Sequence, residues 1–198
     1  MVDLFPIKIY KTNIIPSKGD DTAVENILDD LFSRCNENYW AGETGFSTGQ
    51  LSMNLHHSKE FRWLFTEAGI HLEKYWTELQ YASFPVTLRD SWANLHYGNH
   101  ETQEHSHTDG AFGNSIISAV YYFRKPDNLG NIVFCNPLDY ILRLQPYKNL
   151  KGIETLGEEL STKQYDLLLF PSWLRHRVPK YNSSKKRIAI SFNYCRDL

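Results

Sequence analysis

The chain has 198 residues, 41% hydrophobic and 22% charged, a globular balance that excludes a disordered tail or a fibre. Its 21 basic and 23 acidic side chains leave a formal charge of −2, so no nucleic-acid or membrane-surface partner is expected. No apolar run approaches the roughly 18 residues that cross a bilayer. The opening MVDLFPIKIYKTN has no basic-then-apolar leader pattern, and Cys35, Cys135 and Cys195 have no metal-site spacing. Unpaired thiols in a reducing, cytoplasmic setting are the expectation.

Leu4 to Ile15 is β-rich and ends in a Pro16–Gly19 turn. Asp21 and Thr22 then cap a helix in which Val24, Ile27, Leu28, Leu31 and Phe32 recur at helical spacing. A polar loop over Gly42 to Gly49 follows; with Tyr39 and Trp40 it is either a substrate groove or a plain surface loop. Ser58 caps a second helix, whose apolar face runs through Phe61, Leu64, Phe65, Ala68, Leu72, Tyr75 and Trp76. From Phe84 onward short strands follow one another between turn residues: Val86–His96, Ile116–Arg124, Asn131–Cys135, Tyr140–Leu144, Asp166–Phe170, His176–Pro179 and Arg187–Cys195. No repeat or linker divides the chain. The expected architecture is a single mostly-β (α+β) domain over residues 1–198. Residues 1–83 form a helical support for a sandwich or jelly roll over 84–198.

Four of the eight histidines lie between positions 96 and 107. In His105-Ser-His107-Thr-Asp109, a strand would place His107 and Asp109 on one face, both able to reach a single divalent ion. A further histidine would complete a facial triad with open positions, and His176 is the one histidine after position 107. His105 competes as a ligand, since His-x-His also puts two imidazoles on one face. The two-histidine, one-carboxylate set favours His107 with Asp109. His96 and His100 read as rim residues, and His56, His57 and His71 as structural or exposed ones. Arg187 opens Arg-Ile-Ala-Ile-Ser-Phe-Asn, where Ile188, Ile190 and Phe192 take one face and leave 187, 189 and 191 on the other. Its ordinary reading is a surface arginine continuing Lys185-Lys186. A buried cation there would need an anionic partner, which a dicarboxylate could supply.

The ordered set His107-Thr-Asp109, Ser118-Ala-Val-Tyr-Tyr122-Phe, Tyr165-Asp-Leu-Leu-Leu-Phe170, His176 and Arg187-Ile-Ala-Ile-Ser191-Phe-Asn resembles the Fe(II)/2-oxoglutarate-dependent oxygenases, in particular the prolyl-hydroxylase-like group. The resemblance covers roughly residues 90–195. It implies a double-stranded β-helix core and a dioxygenase that hydroxylates a C–H bond, on a prolyl or other protein residue or on a small molecule, with release of succinate and CO2. The implied cofactors are Fe(II), 2-oxoglutarate and O2, with ascorbate as an auxiliary reductant. Carried over residue by residue, His107, Asp109 and His176 become the iron ligands. Arg187 becomes the contact for the distal carboxylate, with Tyr122 and Ser191 as hydroxyl donors beside it. Tyr97 approaches the cosubstrate, and Asn193 shares inward parity with Arg187 and Ser191. Three departures stand out: Asp127-Asn-Leu-Gly130 where the group often has Gly-Gly, the extra His105, and the long Pro137–Gln164 segment. Two other readings stay open. One is a cupin-like metal enzyme that uses His105, His107 and His176 without 2-oxoglutarate; the other is a non-catalytic jelly-roll binding module.

Overall fold

Alternating apolar and polar residues in the C-terminal half become two facing antiparallel sheets. The computed structural model describes residues 6–37, 44–83, 85–108, 113–139, 157–180 and 182–196. In chain order the elements are β1 (Tyr10–Asn13), α1 (Lys18–Ser33), β2 (Phe46–Ser47), α2 (Arg62–Glu78), β3 (Val86–Gly98), β4 (Thr102–His105), β5 (Ser115–Arg124), β6 (Ile132–Cys135), β7 (Gly157–Leu160), β8 (Asp166–Pro171), β9 (His176–Val178) and β10 (Ser183–Arg196). Three short 3-10 turns lie between β2 and α2. The larger sheet has the order β1-β8-β5-β10-β3-β2 and the smaller β4-β9-β6-β7, the double-stranded β-helix, or jelly roll, with two helices added.

Several boundaries differ from expectation. Helix α1 begins at Lys18, because Ser17 is its cap and accepts from the Asp20 amide. The expected Pro16–Gly19 turn is therefore the approach to α1 and its first residues. Ser58 does not cap α2; its hydroxyl donates to Glu60, and a 3-10 turn over Lys59–Phe61 leads into the helix. Within Leu4–Ile15 only Tyr10–Asn13 is a strand among the described residues, paired with β8. The expected strand Tyr140–Leu144 lies outside the described residues.

Burial follows strand parity and gives the larger sheet two different faces. Ile117, Ala119, Tyr121 and Phe123 of β5, Leu167 and Leu169 of β8, and Ile188, Ile190, Phe192 and Tyr194 of β10 point outward. There they meet Val24, Leu28, Leu31 and Phe32 of α1 and Leu64, Ala68, Leu72 and Tyr75 of α2. Each Val, Leu, Ile or Phe side chain among them contributes on the order of 1.5–3 kcal/mol by leaving water. The opposite residues Val120, Tyr122, Leu168, Phe170 and Ala189 meet Ile132, Phe134 and Leu174 in a smaller cluster between the sheets. That inner cluster is interrupted by polar side chains.

Candidate functional site

The polar interruption begins where β4 ends and β9 starts. His105 and His176 are direct partners in the β4–β9 ladder, so their side chains project from one face. His107 follows two residues later, its amide donating to the Ser172 carbonyl at 2.9 Å. Ligand nitrogens of His105, His107 and His176 all lie within 4.8 Å of one another. Behind His107, Nδ1 lies 2.7 Å from Asn193 Oδ1 and 3.0 Å from Ser118 Oγ. Nδ1 of His176 donates to the Leu174 carbonyl at 2.9 Å. Such rear contacts fix ring orientation and turn Nε2 toward the cluster.

Electrostatics favours the same state. Burial, reinforced by the neighbouring His105, pushes the His107 imidazole down to about 4. Burial also holds His176 well below the usual imidazole range, with His105 and His107 adding to the effect. Neutral imidazoles whose Nε2 atoms converge fit a divalent transition metal. Asp109, expected as the carboxylate ligand, lies outside the described residues.

From the imidazoles a cavity of about 560 Å³ extends between the sheets. Trp92, Asn94, Val120, Ile132, Ser191 and Arg187 are among its walls. Arg187 is 3% exposed. Its Nε donates to the Gly130 carbonyl at 2.8 Å, Nη1 lies 3.4 Å from His96 Nδ1, and the guanidinium sits 5.2 Å over the Tyr122 ring. None of these contacts is an ion pair. A buried guanidinium facing a cavity, with no carboxylate paired to it among the described residues, suits an anionic ligand.

The structure brings together most of the residues singled out from sequence, with corrections. Ser191 lines the cavity beside Arg187, as expected. Tyr122 lies under the Arg187 guanidinium, fully buried. Burial raises the pKa of its hydroxyl, which makes no well-formed hydrogen bond, and Arg187 partly offsets the rise. Asn193, expected beside the cosubstrate, has its carboxamide oxygen behind His107, where it orients that ring. Tyr97 is also misplaced by the expectation. It packs on the helix-side cluster, stacked with Phe46, because the inward residues of β3 are Trp92, Asn94 and His96. His96 and His100 are not rim residues, being 0% and 8% exposed. The chain passes so close at Gly45 that a Cβ there would come within 2.7 Å of the His96 ring; its φ of +120° also favours glycine. Residues the sequence did not flag are Ser118, Trp92, Asn94 and Lys125. Trp92 lies 5.7 Å from the His107 ring, and Asn94 Oδ1 is buried without a hydrogen bond. Lys125 ties down the loop before Gly130 by donating to the Pro126 and Leu129 carbonyls.

Comparison with solved structures shows the same fold at low identity. A prolyl-4-hydroxylase from Pseudomonas putida superposes with a TM-score of 0.64 at 10% identity, over 97% of this chain and 94% of that one. HygX from Streptomyces hygroscopicus, with nickel, 2-oxoglutarate and hygromycin B bound, gives 0.63 at 11% identity over 97% and 84%. A prolyl hydroxylase from Trichoplax adhaerens, in complex with a hypoxia inducible factor peptide fragment, gives 0.63 at 13% over 95% and 83%. No curated protein matches by sequence. The family model described as "Putative 2OG-Fe(II) oxygenase" matches residues 90–193, just over half of the chain. That stretch holds the imidazole cluster and Arg187, and by this match the chain belongs to the 2-oxoglutarate- and iron(II)-dependent oxygenases.

Proposed function

We propose that residues 1–198 form a single oxygenase domain in which His107, Asp109 and His176 hold the iron and Arg187 receives the distal carboxylate of 2-oxoglutarate. The observation that carries this reading is the guanidinium of Arg187, buried on the same cavity as the imidazoles and not ion-paired among the described residues. When bound, iron with 2-oxoglutarate and O2 supplies the oxidising power that places one oxygen atom in a substrate C–H bond and the other in succinate, with loss of CO2. The chain's own residues bind and orient. Ser118 and Asn193 hold the His107 ring, the Leu174 carbonyl holds His176, and Arg187 with Ser191 and Tyr122 sets the cosubstrate's remote end. Val120, Ile132 and Trp92 give the cavity apolar walls that exclude water.

The substrate we infer is a C–H bond of a protein or peptide residue or of a small molecule. A cavity of about 560 Å³ is within the usual size of a ligand pocket and leaves room beyond 2-oxoglutarate. Two structural neighbours hold a peptide fragment and hygromycin B, one of each class. Ser47 and Gly49, from the stretch read as a groove or a loop, are in the cavity wall and would meet that substrate. A cytoplasmic location is supported by the three cysteines, all free thiols; no helix of the described residues is long and apolar enough to cross a membrane.

The presence of His105 beside the other two imidazoles favours one second reading, a metal enzyme that uses no 2-oxoglutarate. Calorimetric titration of the nickel-loaded protein with 2-oxoglutarate separates the two. Binding that weakens at least about 10-fold in Arg187→Gln is the expected result, since two charge-assisted hydrogen bonds are lost. Equal affinity in the variant would overturn the role of Arg187, and no binding by the parent protein would favour the second reading.

A further inference from the structure

The loop where this chain departs from the frequent Gly-Gly, Asp127-Asn-Leu-Gly130, adjoins a second buried cation that the oxygenase reading leaves out. Lys125 is 5% exposed and directly follows β5. Its ammonium donates to the Pro126 and Leu129 carbonyls, and the Leu129 amide in turn donates to the Pro126 carbonyl. The next residue, Gly130, has a φ of +63° and presents the carbonyl that accepts from Nε of Arg187. One ammonium thus fastens the loop, and the loop fastens the guanidinium.

Lys125 also shares the electrostatic surroundings of Arg187. The guanidinium lies 5.2 Å from the centroid of the Tyr122 ring, and the ammonium 6.0 Å from it. The carboxylates that face Lys125 are Asp127 in its own loop, Glu159 on β7 and Asp166 on β8. None is ion-paired with it among the described residues. Glu159 accepts from Asn131 Nδ2, and Asp166 accepts from Lys11, Asn13 and the Lys163 amide. Burial first, and then the Arg187 charge, pulls the Lys125 ammonium down to about 8; the three carboxylates offset only part of this. Two buried cations around one ring, short of counter-ions, favour an anion between the sheets.

We propose that Lys125 is a positioning residue for the anion bound at Arg187 and the second cation of that site. The proposal rests on the cosubstrate reading of Arg187. It makes binding depend on pH through a group other than the guanidinium, which stays charged throughout. A bound dicarboxylate stabilises the protonated ammonium, and by reciprocity the protonated ammonium strengthens dicarboxylate binding. The neutral amine keeps N–H groups for the two carbonyls, so losing the proton removes the charge and leaves the loop fastened.

The test is calorimetric titration of the nickel-loaded full chain with 2-oxoglutarate from pH 6.5 to pH 9, on the parent, Lys125→Met and Lys125→Arg. Affinity of the parent should fall about 5-fold over that range, as one pKa unit of mutual attraction produces. Lys125→Met should bind about 10-fold more weakly than the parent at pH 6.5 and show no further fall. Lys125→Arg should match the parent at pH 6.5 and keep that affinity to pH 9. Carbon NMR of the Lys125 Cε in the parent stands even if the variants do not fold: it should titrate near 8 in the free protein and higher with 2-oxoglutarate bound. An alkaline fall that persists in Lys125→Met, or a Lys125 titration that 2-oxoglutarate leaves unmoved, would overturn the proposal and leave the Arg187 reading intact. A parent chain that binds no 2-oxoglutarate across the whole range would overturn both.

Discussion

Strand β10 presents two different surfaces, one residue apart. Its outward residues Ile188, Ile190, Phe192 and Tyr194 close the core under the helices, while Arg187, Ala189, Ser191 and Asn193 face the smaller sheet. The outward face is apolar except for the Tyr194 hydroxyl and is packed by aromatic contacts such as Phe65 with Phe192, centroids 5.2 Å apart. The inward face buries a guanidinium, a hydroxyl and a carboxamide at some cost in desolvation. The outer face supplies the stability that the inner face spends on holding chemistry in place. Substitutions on the two faces should therefore separate folding from function.

The largest effect is expected on the inward side. His176→Ala should remove cosubstrate turnover, measured as succinate release, while leaving far-ultraviolet circular dichroism unchanged. Next is the outward side, where Phe192→Ala should cost about 3–5 kcal/mol in urea unfolding. The folded fraction of that variant should keep its affinity for 2-oxoglutarate. Loss of that affinity at normal stability would break the comparison.

A pH series sharpens it further. The His107 imidazole, pushed down to about 4 by burial, titrates near 6.5 in an unfolded chain. Between those values the unfolded state binds more protons, so stability is present above pH 6.5 and is lost as pH falls toward 4. The metal-free protein should lose on the order of 3 kcal/mol over that window from His107, with His176 contributing in the same direction. Urea midpoints that do not move between pH 7 and pH 4.5 would contradict the burial of neutral imidazoles. A smaller effect is expected from Asn193→Ala, which removes the acceptor behind His107 and should weaken metal binding by about 10- to 100-fold. The smallest is the effect of Arg187→Gln on stability without ligand, at most about 1 kcal/mol, because no ion pair among the described residues is broken.

Much of this arrangement was legible in the sequence because strand parity is a strong signal on long strands. Alternation after Arg187 put 187 and 191 on one face, where they are. The same argument applied to Trp92-Ala-Asn-Leu-His96-Tyr97 sends Tyr97 outward with Ala93 and Leu95, and the resemblance to a family overrode it. Asn193 had the correct parity but a different partner, since parity gives a face and not a contact. Strands β2, β4 and β7 were missed because two to four residues, polar ones in β4 and β7, carry no periodic pattern. The burial of His96 depends on the close passage of Gly45, about a quarter of the chain length away and invisible in local sequence. The three-imidazole cluster shows the opposite case. His-x-His was plain in the sequence, but the convergence of His105 with His176 needed the β4–β9 pairing to exist.

The most direct test of the central claim is succinate release with Fe(II), 2-oxoglutarate and ascorbate, on the parent chain and on His176→Ala. Succinate from the parent chain and none from the variant is the result predicted by an iron centre built on these imidazoles. Equal release from both would contradict it.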